Sequence, residues 1–176
     1  KKAKELARKF SNHIILLETL IAERNIISVM PDKNISEMRK QLYEEQADAL
    51  RMLGKNFEYS WLSDQMVICV EQKGDFTHSE RSKEMDKIMQ MPLISKDSMA
   101  EDLNMKFYQL HTKLFYYLGK NELINVKLQL EKEIELLEAN RHFIDHNPKN
   151  YSSALINYLL FSQITGYRKD VLSALS

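Results

Sequence analysis

The tetrapeptide Leu-Gly-Lys-Asn occurs twice in this chain, at residues 53–56 and 118–121. Each copy closes one amphipathic stretch and opens another. A glycine just after the last apolar position commonly ends a helix, because glycine adopts a left-handed conformation without steric cost. In a chain with only four glycines, the two copies predict a helix–turn–helix unit used more than once. Stacked helical hairpins of this kind usually bind partners.

Apolar residues follow the spacing of helix faces along the whole chain. Their stripes and the capping residues between them predict eight helices and no strand. The scarcity of glycine and proline supports an all-α fold, since four glycines and three prolines are too few to punctuate a many-stranded sheet. The predicted helices cover residues 1–30, 34–54 and about 57–72, a short helix from the capping box Thr77/Glu80 to before Pro92, one from Ser98/Glu101 to Gly119, one from Leu123 to before Asn147, one at about 151–164, and a last one from near Lys169.

The length of 176 residues suits a single all-helical domain, with less regular hairpins in 1–95 and more regular hairpins in 96–176. Hydrophobic residues make up 44% and charged residues 28%, which is a globular composition. Because Lys1 already lies in a helical pattern and is not methionine, we expect the chain to be a piece of a longer protein.

The C-terminal part resembles the tetratricopeptide repeat family. Large apolar residues stand at the positions of its first helix, Gly119 matches its turn glycine, and Pro148 matches the proline between repeats. The matching residues are Phe107, Leu110, Leu114, Gly119 and Pro148, followed in the next unit by Leu155, Tyr158, Leu159, Gly166 and residues 167–170. The resemblance implies an α-solenoid of antiparallel helix pairs; the alternative is a compact helical bundle.

The chain departs from that family in composition and period. His111 stands where the family has a glycine, and no alanine lines the helix after Gly119. Gly54 and Gly119 lie 65 residues apart and Gly119 and Gly166 lie 47 apart, whereas the family repeats roughly every 34 residues. The predicted array is therefore irregular.

Charge and composition argue against several classes of partner. Lys plus Arg and Asp plus Glu both number 25, so the chain lacks the positive field of a dedicated nucleic-acid binder. No apolar run approaches the roughly 20 residues that span a bilayer, which argues against a membrane partner. The single cysteine, Cys69, cannot form an internal disulfide, which favours a reducing compartment and a cytoplasmic location.

Candidate chemical motifs favour structural roles. The pairs Gly54-Lys55 and Gly119-Lys120 lack the second glycine and the Ser or Thr of a phosphate loop, so they indicate helix ends. Cys69 has no basic neighbour within one helical turn that would activate a nucleophile. His142 and His146 could supply two metal ligands from one helix face, but capping or surface roles are the simpler interpretation. We predict no cofactor and no catalytic residue.

The aromatic residues of the helix before Gly119 cover more than one of its faces, so they pack on neighbouring helices or line a groove. We predict a non-enzymatic scaffold that binds a protein or peptide, and self-association stays open. The alternative is a helical sensor or dimerisation domain of a larger signalling or transcriptional regulator. The predicted contacts are Tyr108, His111, Lys120, Asn157 and Tyr158.

Overall fold

The structure, a computed structural model, describes residues 2–29, 34–71, 78–146 and 148–165. Within these ranges the fold is all-helical, as predicted, with nine α-helices, one 3₁₀ turn and no strand. The elements are α1 (Lys2–Lys9), α2 (His13–Ser28), α3 (Ile35–Glu71), α4 (His78–Gln90), α5 (Pro92–Ser95), the 3₁₀ turn (Asp97–Met99), α6 (Leu103–Gly119), α7 (Leu123–Glu138), α8 (Arg141–His146) and α9 (Pro148–Thr165).

The first predicted helix is two helices, so the prediction of one continuous helix over 1–30 is wrong. The chain turns at Ser11, whose φ of 49° is left-handed. Asn12 then caps α2, its side chain accepting a hydrogen bond from the Ile15 amide at 3.1 Å. Ser and Asn side chains compete with the helix for backbone groups, and here that local preference outweighs the apolar stripe.

The first Leu-Gly-Lys-Asn does not mark a turn, and this prediction is also wrong. Gly54 lies inside α3, which runs for 37 residues through both the second and third predicted helices. Buried apolar residues keep helical spacing on both sides of the glycine; they include Leu42, Ala49, Met52, Tyr59, Leu62 and Met66. Burial of this stripe exceeds the roughly 1 kcal/mol that a glycine costs inside a helix.

The helices before and after Pro92 follow the prediction with one change. α4 ends before Pro92, which takes the first position of α5. α6 starts later than predicted, because Asp102 caps it by accepting a hydrogen bond from the Met105 amide at 2.9 Å. Ser98, the predicted cap, lies in the 3₁₀ turn. Thr77 lies outside the described residues.

The second Leu-Gly-Lys-Asn does end a helix, as predicted, but the left-handed residue is Asn121 with φ 58°, not Gly119. Gly119 is closely packed: a Cβ there would overlap Cε at the flexible end of the Met85 side chain and lie 3.1 Å from Val70 Cγ2. α6 and α7 form a hairpin across this short turn. The last predicted helix, from near Lys169, lies outside the described residues, as does the turn at Gly166.

The chain divides into two compact units, Lys1–Glu58 and Tyr59–Ser176, so α3 contributes to both. The sequence instead predicts a division near residue 95, between less regular and more regular helical hairpins. The first unit packs α1, α2 and the first part of α3 around a core of Ala7, Leu16, Leu20, Ile27, Leu42 and Ala49. In the second unit, α7 packs against α6, α8 and α9. Its two described clusters are centred on Phe107, Leu137, Phe143 and Ala154, and on Leu114, Val126, Leu130 and Phe161.

Candidate partner-binding surface

The predicted contact residues are all partly buried and belong to the second unit. Tyr108 lies against the cluster around Phe107, and Tyr158 lies against the cluster around Leu114. Asn157 is half-buried on α9 beside Tyr158. These positions do not form one exposed surface. Their contact with a partner stays a prediction, and the open surface lies elsewhere.

His111 is held by a buried carboxylate. Its Nδ1 lies 3.2 Å from Glu133 Oε1, and its ring stacks on Phe107 with centroids 5.5 Å apart. Glu133 is fully buried, and within the described part of the chain its Oε2 has no hydrogen-bond partner. Burial raises the pKa of Glu133, and the hydrogen bond and charge of His111 oppose that rise. This pair connects α6 to α7 inside the hairpin, where a partner cannot reach the carboxylate.

Lys120 belongs to a polar cluster between α4 and the end of α6. Its Nζ lies 2.7 Å from Asp86 Oδ1 and donates to Ser82 Oγ at 2.6 Å. The Tyr116 hydroxyl donates to the same Asp86 oxygen at 2.9 Å. The hydrogen bonds from Lys120 and then Tyr116 lower the pKa of Asp86, while burial and Asp86 raise that of Tyr116 to about 12. Lys120 therefore stabilises the hairpin turn.

An open groove of about 810 Å³ lies along the face of α6 that carries Lys106, Leu110 and Lys113. We call it the α6–α7 groove: α6 and α7 line it together with Met89 and the segment from Ser95 to Asp97. Its apolar lining comes from Leu110, Tyr117, Leu128 and Leu136. Open concave surfaces with apolar walls and a few polar groups are typical of ligand and peptide sites.

Gln109 fixes one wall of the groove. The two N–H groups of its Nε2 are shared among the carbonyl oxygens of Leu93, Ile94 and Lys96, at 2.8, 3.2 and 3.1 Å from the nitrogen. Gln109 is itself buried. These bonds attach α5 and Lys96 to α6. Gln109 therefore lines the groove and also holds the neighbouring segment in place.

The charges of the groove are unequal. Lys106, Lys113 and Lys132 line it, against the carboxylates of Asp97 and Glu135. Lys113 pairs with Asp97 at 2.7 Å, and this hydrogen bond and charge lower the pKa of Asp97. The remaining excess of one positive charge favours a ligand that carries a carboxylate.

Gln129 supplies an unused polar group in the groove. Gln129 is 5% exposed, and its buried Oε1 has no hydrogen-bond partner among the described residues. A buried amide without partners costs free energy until a donor reaches it. Sequence reasoning missed this residue, although a glutamine three positions after Val126 on the buried stripe of α7 was a readable signal.

The candidates for chemistry remain isolated in the described part of the chain. Burial, and then the charge of Glu84, raises the pKa of the half-buried Cys69 thiol, opposite to the change that a nucleophile needs. No three His, Cys, Asp or Glu side chains among the described residues converge as metal ligands. The partner ligands that His142 would need are therefore not among them, and the side chain of His146 lies outside the described set.

Comparison with protein-family models, with curated proteins and with solved structures finds no significant match for this chain. Among the described helices, none combines the length and the apolar character needed to cross a bilayer.

Proposed function

We propose that this chain is a non-enzymatic interaction module whose α6–α7 groove binds a peptide segment of another protein. The observation that carries the proposal is the groove itself, an open concavity of about 810 Å³ whose lining combines leucine side chains with an excess of one positive charge. Apolar side chains of a peptide can contact Leu110 and Leu128 while an acidic side chain of the same peptide approaches Lys106.

The chemistry of the groove defines the peptide. Lys106 and Lys132 are exposed residues of the groove lining, and the charge of Lys132 helps to lower the pKa of Asp97. We infer a segment with two or more apolar side chains and a nearby aspartate or glutamate. Such rim charges affect recognition and association rate more than affinity.

A tetratricopeptide-like stacking of the second unit is the finer part of the proposal. It is supported by α7, which packs against the preceding α6 and the following α8 and α9, as a helix inside a stacked array packs on both sides. The non-enzymatic assignment rests on the isolation of Cys69 and on the full burial of Glu133. A second candidate, a dimerisation domain of a larger regulator, is favoured by an exposed face of α3.

The proposal is tested by selecting peptides from a random display library against the chain and measuring their affinity for variants. Leu128→Glu places a carboxylate in the groove and is expected to weaken the selected peptides at least about tenfold. Ile124→Glu is the matched control, because Ile124 is on the same helix, 85% exposed and outside the groove lining. Peptides that bind both variants equally, or a selection that yields no binder, would contradict the proposal.

A further inference from the structure

One face of α3 is apolar and exposed over 26 residues. Its positions alternate four and three residues apart, the a/d spacing of a coiled coil. We call this face the α3 seam; its residues are Tyr43, Ala47, Leu50, Gly54, Phe57, Trp61, Asp64 and Ile68. All lie on one continuous helix, and Asp64 is the only charged member.

The exposure of the seam is large for apolar side chains. Tyr43 and Phe57 are 72% and 71% exposed, and Leu50, Trp61 and Ile68 are 55%, 49% and 39% exposed. The opposite face of the same helix is already buried, at residues such as Ala49 and Tyr59. α3 therefore has two apolar faces. One is buried in the cores of the two units, and the other, the α3 seam, is exposed. An exposed apolar row of this length is typical of an interface.

We propose that the α3 seam pairs with the α3 seam of a second copy of this chain, antiparallel, about a twofold axis between residues 55 and 56. This goes beyond the peptide groove, because it concerns a different surface and a different partner. In an antiparallel coiled coil each a position faces a d position of the other helix. The facing pairs are Gly54 with Phe57, Leu50 with Trp61, Tyr43 with Ile68, and Ala47 with Asp64.

The sizes of the facing residues are complementary in this register. Gly54, beside which a Cβ would meet no atom within 4 Å, faces the ring of Phe57. The small Ala47 leaves Asp64 open to water. A parallel pair would instead place Phe57 against Phe57 and Asp64 against Asp64, with a void at Gly54. Packing and charge thus both favour the antiparallel pair.

Charge along the edge of the seam agrees with the same register. Arg51 and Glu58 follow the seam positions Leu50 and Phe57, and the twofold axis brings Arg51 of one copy beside Glu58 of the other. Both residues are exposed, and Arg51 also pairs with Asp48 of its own helix at 2.8 Å. An interface that the same residues form on both copies is the usual basis of a closed dimer.

The experiment is sedimentation equilibrium of the whole chain from low to high micromolar concentration, with circular dichroism to verify folding. We expect a dimer whose dissociation constant rises at least about a hundredfold in Leu50→Glu and Phe57→Glu. Ile26→Glu is the control, because Ile26 is 60% exposed on α2 and outside the seam. Arg51→Glu and Glu58→Arg should each weaken the dimer, and the double variant should recover it.

Orientation is measured with spin labels on cysteines at Gln41 or Lys55 in a Cys69→Ser background. Lys55 follows the seam residue Gly54, and Gln41 lies two residues before the first seam residue, Tyr43. The antiparallel pair predicts labels within about 20 Å at residue 55, and about 45 Å apart at residue 41 because each residue rises about 1.5 Å. A monomer at all concentrations, a dimer unaffected by the seam variants, or short distances at both sites would each overturn the proposal.

Discussion

Glu133 is a carboxyl group that the fold buries completely with one of its oxygens unpaired. Its pKa is raised by burial, so the folded state holds this proton more tightly than the unfolded state does. The corresponding contribution to stability is present below the unfolded pKa, which lies near 4.3, and is lost as pH rises through the folded pKa. His111 reduces this loss but does not remove it.

We therefore expect Glu133→Gln to stabilise the chain by about 1 kcal/mol at pH 8, because the amide keeps a hydrogen bond to His111 without burying a charge. The advantage should shrink as pH falls toward the unfolded pKa of glutamate. Urea unfolding of both proteins across this range measures the difference. A difference independent of pH would show that Glu133 is already neutral, or well solvated, throughout the range.

At the scale of helices, the same tetrapeptide occupies two environments. Gly54 lies in mid-helix with open space around its Cα, whereas Gly119 lies at a helix end against Met85 and Val70. Gly54→Ala should stabilise the chain by about 1 kcal/mol through helix propensity. Gly119→Ala should destabilise it by about 1 kcal/mol, since its Cβ overpacks a buried methionine. Urea denaturation at low micromolar concentration measures both changes. Shifts of the same sign would contradict the assigned environments.

The periodicity of apolar residues predicts that the helices exist. Their boundaries depend on whether local hydrogen bonds or burial of apolar residues contribute more free energy, and the sequence alone does not show which. The apolar stripes predicted that α6 and α7 exist, but the helix predicted from Leu123 to before Asn147 ends at Glu138, and α8 is separate from it. The local bonds of Ser11 and Asn12 likewise divided the first predicted helix. At Gly54 the opposite happened, and core burial carried the helix through. Interpreting that glycine as a stop also separated Leu50 from Phe57 and Trp61, which hid the continuous seam.

The surfaces were harder to predict than the helices, because they depend on which apolar face finds a partner. The aromatic residues of α6 suggested a groove, yet Phe107 and Phe115 pack in the clusters of the second unit. The groove forms on the other face of α6 and needs the segment that Gln109 holds. That contact links residues 16 apart through a backbone carbonyl, which no side-chain pattern reveals.

At the scale of the whole molecule, self-association through α3 makes stability depend on concentration. If the folded chain dimerises and the unfolded chain does not, the folded state gains free energy by mass action. Each tenfold rise in concentration should then raise the thermal midpoint by about 2 °C while the dimer dominates. Trp61, the only tryptophan, should shift its fluorescence emission to shorter wavelength over the same concentration range, because Leu50 of the other copy covers it.

Differential scanning calorimetry and fluorescence should show both effects in the unmodified chain and in Ile26→Glu. Leu50→Glu should lose both. A thermal midpoint that does not change with concentration in any of the three proteins would show that the α3 seam stays exposed in solution. That result would contradict the proposed pairing of α3 with a second copy.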